Sequence, residues 1–370
     1  MMVDGTQVNI ARAILAHFRA DVPRSTFVEP DSHTLILWVV DGLGWALFEQ
    51  ALERGLLPHY RRHPGTRQRW QSVYPTTTAA GLASLAFAAP PAIHGALGYS
   101  VYVPEWDDRV NLLSGEDSRG ERVPEDMVYP RVVPTLFQRL AEIGIPSAVV
   151  SPAAYRQSGF TRWLYAGATY VGYDLSHPLA AVDAVTIVLD HGHRFVWLYW
   201  PYIDQISHVA GPFSRATDQA LSLWDTAYGT ALHRWRTHKP ALLVTADHGG
   251  AALNPRRAIL RAAPHIAPLW VHRWAGERRA ITTEIDPDEV RTRLEGIATV
   301  YDQQHLWNEG CYGGPPVSPT WQERTLRTLI VPPTEVQFQQ DGIMEASTVQ
   351  GGHGGWTDDE RYIPLICKSW

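Results

Sequence analysis

Four short runs of unbroken apolar residues bound what this chain can fold into: TLILWVV (34–40), PSAVVS (146–151), RFVWLYW (194–200) and ALLVTA (241–246). Each is too short for a helix and rich in Val, Leu or aromatic side chains. Continuous rather than alternating apolarity predicts strands buried on both faces. Helical patterns lie between them, as in TLFQRLAEIG before the second run and RATDQALSLWDTAYGTALHRWRTH (215–238) before the fourth. Ile10, Ile14, Leu15 and Phe18 recur at helical spacing near the start. Alternating strands and helices predict an α/β fold, a mostly parallel central sheet flanked by helices on both faces.

Three of the runs lead into an aspartate: Asp41, Asp204 and Asp247. In open α/β sheets ligands bind at the carboxyl ends of strands, so the three carboxylates are expected at one sheet edge. A single such Asp would read as a helix or turn cap. Two of these carry histidines. Asp204 and His208 are four apart, which puts them on one face of a helical turn and makes half of a zinc-like site. His248 adjoins Asp247 at the end of a buried strand, where a metal would remove the cost of burying the carboxylate. His353 sits in GGHGG, whose glycines let backbone approach a ligand closely.

Three threonines, 76–78, stand before the small-residue stretch TAAGLASLAFAA (78–89). That stretch predicts a helix tightly packed on the sheet, with free amides and the positive dipole end at its start. A hydroxyl there can cap the helix or, bound to a metal, serve as a nucleophile; neighbouring threonines can do both.

Residues 97–131 and 254–345 lack the strand–helix rhythm and are rich in Pro, Arg and Trp. They are read as insertions capping the site of one domain spanning 1–370. Hydrophobic residues make up 45% of the chain, enough for a substantial core. The net charge of −6 and the lack of a basic run argue against a nucleic-acid polymer as partner, while a bound metal could still attract a small anion. Cys311 and Cys367 are too few for a disulfide framework. With neither a signal-like start nor a membrane-length apolar window, a cytoplasmic protein with no membrane partner is expected.

The ordered set Asp41-Gly42, Pro75-Thr76-Thr77-Thr78, His94-Gly95, Asp204 to Pro212, Asp247-His248-Gly249 and Gly351 to Gly354 resembles the type I phosphodiesterase/nucleotide pyrophosphatase group of the alkaline-phosphatase superfamily. The resemblance implies an alkaline-phosphatase-like fold and two divalent metal ions, with zinc expected. One metal would be held by Asp204, His208 and His353. The other would be held by Asp41, Asp247 and His248 beside Thr78, the nucleophile by its place in Pro-Thr-x-Thr. Thr76 would support the turn. The implied activity is hydrolysis of phosphodiester or pyrophosphate bonds in a small, nucleotide-like phosphorylated substrate, by two displacements through a phosphothreonine. Tyr99 stands where the family has an Asn that binds a phosphate oxygen, and its hydroxyl is expected to donate in its stead. Tyr155 and Arg162 are candidate substrate contacts. Arg and Trp of 106–131 and 254–279 could grip a second phosphate and stack on a base or sugar.

A phosphomonoesterase or a phosphomutase on the same scaffold is the alternative, and a non-catalytic binding protein is a further one. The sulfatase pattern Cys/Ser-x-Pro-x-Arg is missing around both cysteines. DGLGWAL after the first run lacks the third glycine of a dinucleotide-binding loop.

Overall fold

The computed structural model describes residues 5–18, 32–254, 273–314, 316–338 and 349–370. Its central sheet has seven strands: β1 (Leu35–Val40), β2 (Thr66–Gln71), β3 (Ser147–Pro152), β4 (Thr169–Tyr173), β5 (Phe195–Trp200), β6 (Ala241–Thr245) and β7 (Tyr362–Lys368), in the order β2-β7-β6-β1-β5-β3-β4. All pairs from β6 to β4 are parallel, whereas β7 runs antiparallel to both β6 and β2. The four apolar runs supply β1, β3, β5 and β6, buried along their whole length. β2, TRQRWQ, is mostly exposed and carries no apolar run that would announce it.

Flanking helices include α1 (Gln7–Phe18), α2 (Thr78–Phe87), α3 (Gly159–Leu164), α4 (Tyr202–Ala210) and α5 (Arg215–Arg234). α2 is almost all small or apolar and buries every residue from Ala79 to Phe87. Trp38 of β1 packs against Trp200, Trp224 and Trp235 at ring separations of 5.7, 6.1 and 6.1 Å, which locks α5 onto the sheet. Burying one such ring is worth about 2–3 kcal/mol.

The two segments without strand–helix rhythm contribute to one structure. Strands from 100–117 and 274–331 form a second, antiparallel seven-stranded sheet, in the order 299–302, 328–331, 280–283, 274–277, 100–103, 108–111, 116–117. Gly276 pairs with Ser100 to join them. Their strands are two to four residues long and partly polar, so no long apolar run marks them. Within the expected insertion 254–345, positions 255–272, 315 and 339–345 lie outside the described residues. Among the described residues, no helix is long and apolar enough to cross a membrane.

Candidate metal centre

Sheet register brings the aspartates together. Val39 lies opposite Thr245 and Val40 opposite Trp200, so Asp41 and Asp247, each two residues past the first pair, leave the sheet at one level. The Asp204 amide donates to the Asp41 carbonyl at 3.1 Å, tying the start of α4 to the end of β1. Gly42 permits this contact. It has φ +75°, and a Cβ there would stand 2.9 Å from Cβ of Asp204.

Asp41, Asp247 and His248 are buried. Their ligand atoms lie within 4.8 Å of one another, as do those of Asp204, His248 and His353. From His248 Nε2 it is 3.4 Å to Asp41 Oδ1, 3.7 Å to Asp247 Oδ2 and 3.1 Å to Thr78 Oγ1. Donors about 2.0–2.1 Å from a tetrahedral zinc stand about 3.3 Å apart. Asp41 Oδ1 and Asp247 Oδ2 have no hydrogen-bond partner among the described residues, although they are buried. Buried carboxylate oxygens left unpaired cost several kcal/mol unless a cation meets them, so this donor set fits a metal ion.

The surroundings aim the donors. Nδ1 of His248, His208 and His353 meets the carbonyls of Gly249, Gly351 and Thr76 at 2.8, 2.9 and 3.2 Å. A carbonyl only accepts, so each Nδ1 carries the hydrogen and each Nε2 turns to the site. The Tyr199 hydroxyl donates to Asp41 Oδ2, and the amides of Gly42 and His248 donate to Asp247 Oδ1. Each carboxylate thus keeps one oxygen for the centre.

Charge follows burial. Burial, then Asp247 and Asp204, pushes the Asp41 carboxyl well above its usual range. Burial also raises Asp204, but His208 beside it outweighs this and holds it below the usual range. His208 is pulled down by burial and up by Asp204, with a net rise to about 9. Burial, with His248 adjacent, holds the His353 imidazole well below its usual range, so it is neutral.

The expected second ligand set is brought together unevenly. His208 Nε2 lies 3.2 Å from Asp204 Oδ2, and His353 Nε2 lies 3.9 Å from Asp204 Oδ1. His353 stacks on His248 with ring centroids 3.8 Å apart, against 5.1 Å to His208. His248 joins Asp204 and His353 in the group whose ligand atoms all lie within 4.8 Å of one another, while His208 reaches Asp204 from the other side.

The threonines divide three tasks. Thr76 Oγ1 donates to the Gly355 carbonyl at 2.9 Å and accepts from the Gly354 amide at 3.1 Å, fastening the turn to the loop of His353. Thr77 caps α2 by accepting from the Ala80 amide at 3.2 Å. Both are buried, and Thr78 is the half-exposed one, at the first position of α2.

A cavity of about 640 Å³ opens over this centre. Asp41, Thr78, Asp204, His208 and His353 line its floor, and Tyr99 and Tyr155 line it as well. Arg162 does not line it. The Arg162 guanidinium is exposed and pairs with Glu125, because α3 turns Phe160, Thr161 and Leu164 inward instead. Sequence reasoning missed Tyr199, Asn111 and Glu277. Tyr199 lies inside an apolar run, and the other two come from the second sheet, where no local pattern points at the site. Burial raises the Glu277 carboxyl to about 8.

A family model described as type I phosphodiesterase / nucleotide pyrophosphatase matches residues 35–309. The fold is similar to murine ectonucleotide pyrophosphatase / phosphodiesterase 5, an inactive variant in complex with AMP: 16% identity, 91% of this chain and 88% of that one, TM-score 0.68. The human protein of that name gives 15%, 90%, 87% and 0.69. Phosphonoacetate hydrolase from Sinorhizobium meliloti 1021, in complex with phosphonoformate, gives 17%, 94%, 92% and 0.70. A comparison with curated proteins by sequence finds no match. With the family model covering most of its length, this chain belongs to the metal-dependent type I phosphodiesterase / nucleotide pyrophosphatase family, hydrolases built on the alkaline-phosphatase scaffold.

Proposed function

We propose that the protein hydrolyses a small phosphodiester or pyrophosphate through a phosphothreonine at Thr78, with zinc as the metal. The observation that carries this reading is the 3.1 Å approach of Thr78 Oγ1 to His248 Nε2, beside the unpaired oxygens of Asp41 and Asp247. Asp41, Asp247 and His248 would hold one ion, and Asp204, His208 and His353 the other. Zinc bound there supplies positive charge for the phosphoryl oxygens and lowers the pKa of the Thr78 hydroxyl.

The chain's own groups do the rest. Thr78 Oγ1 loses its proton to solvent and forms a bond to phosphorus, while the bond to the leaving oxygen breaks. A water molecule then attacks phosphorus, Thr78 is released, and its oxygen regains a proton. α2 directs its free N-terminal amides at the reacting centre, where they favour the developing negative charge. Tyr99, on the wall, can donate its hydroxyl to a phosphoryl oxygen. The second sheet serves as a cap that limits water over the floor.

The test is release of nitrophenolate from bis(4-nitrophenyl) phosphate by the zinc-loaded chain. Thr78→Ala is expected to abolish turnover with an unchanged circular dichroism spectrum. Wild-type turnover by that variant would overturn the assignment.

A further inference from the structure

The walls above the metal centre differ from its floor. Leu82 is four residues after Thr78, on the same face of α2, so an apolar surface begins about 6 Å further along the helix axis. Phe160 and Leu164, also four apart, extend it from α3, and Leu113 adds to it from the turn between strands 108–111 and 116–117.

The polar groups on these walls are largely satisfied among themselves. Asn111 Oδ1 accepts the amides of Leu113 and Ser114 at 2.8 and 3.3 Å. Ser158 donates to Thr161 at 2.9 Å, and Gln205 donates to the Tyr155 hydroxyl at 2.9 Å.

Cationic character is also scarce. Arg279 reaches the cavity but is buried. Its guanidinium is bound to both Glu360 oxygens at 3.0 Å and to the Pro333 and Val336 carbonyls. Glu277, at the end of the strand 274–277 and two residues before Arg279, adds a carboxyl rather than a cation. Among the described residues only Arg278 remains as a wall cation for a second phosphate. No Trp lines the cavity among them.

We infer that the site takes an ester with a single phosphoryl centre bearing an apolar aryl or alkyl group, and disfavours a diphosphate. This rests on the hydrolase reading above, since it places the phosphoryl group on the floor. The organic group then lies along Leu82, Leu113, Phe160 and Leu164. Its burial supplies more affinity than a second charged phosphate gains from Arg278, the one wall cation among the described residues not already held by a carboxylate.

Two readouts on the zinc-loaded full chain test the inference. Calorimetry compares phenylphosphonate, methylphosphonate and dimethyl diphosphate. Turnover compares 4-nitrophenyl phenylphosphonate with 4-nitrophenyl methylphosphonate. Phenylphosphonate is expected to bind about tenfold or more tighter than methylphosphonate, with dimethyl diphosphate no better than the latter. Phe160→Ala should narrow the phenyl-to-methyl ratio, and Leu113→Asn, at a half-buried position, should do so without opening the core. Equal binding of the phosphonates, or tightest binding of the diphosphate, would overturn the inference. Selective binding without any turnover would sink the hydrolase reading and leave the inference standing. Turnover with a flat preference would do the reverse, and failure of every probe to bind would overturn both.

Discussion

Gly81 of α2 rests directly on Asp247: a Cβ at position 81 would lie 2.6 Å from the Asp247 carbonyl oxygen and 2.8 Å from its Cβ. The glycine thus sets how closely the helix bearing Thr78 approaches the strand end bearing Asp247 and His248. Gly81→Ala must push the two apart. A misplacement of about 1 Å costs on the order of a hundredfold in rate. A fall of that size in kcat/KM, with a lowered melting temperature, is the expected outcome, and unchanged kinetics would show that the spacing is not critical.

The neighbouring threonines should separate cleanly. Thr77→Ala removes the α2 cap while leaving Oγ1 of Thr78, and is expected to cost about 1 kcal/mol in denaturant unfolding. Thr76→Val removes both hydrogen bonds to the loop of His353 and should weaken zinc binding more than stability. Equal losses of activity and zinc affinity in the two variants would contradict this division.

The metal-free protein should lose stability as pH rises. His208 is held at about 9 in the folded state, above the roughly 6.5 of a free imidazole. Its contribution is full below about pH 6.5 and is lost as pH climbs through about 9. Glu277, raised to about 8, acts in the same sense from about pH 4.3 upward. The lowered Asp204 acts oppositely, but that contribution is complete before neutral pH. Denaturant midpoints of chelated protein from pH 6.5 to 9 should therefore fall.

Zinc bound to His208, as proposed above, would have to displace its proton, so the affinity should rise about tenfold per pH unit over the same range. A competition titration against a chromophoric chelator measures this. An affinity independent of pH would remove His208 from the ligand set.

Arg279 and Glu360 form a buried pair, 1% and 0% exposed, and Glu360 also accepts from the Gly355 amide and the Thr357 amide and hydroxyl. Glu360→Ala strands the guanidinium and is expected to cost about 3–5 kcal/mol in urea unfolding. A cost below 1 kcal/mol would mean that water reaches Arg279.

Chain order and residue type by themselves determined the central strands and the ligand types. Unbroken apolarity can be satisfied only by strands covered on both faces, and three such runs lead into Asp41, Asp204 and Asp247. The tertiary structure decided what depends on distant partners. The antiparallel strands β2 and β7 owe their place to pairing across the chain. The short strands of the second sheet exist because 100–117 and 274–331 complete each other's hydrogen bonds. His248 stacks on His353 beside Asp204, and Arg162 turns to Glu125, because ring stacking and helix orientation are set by packing that local patterns do not encode.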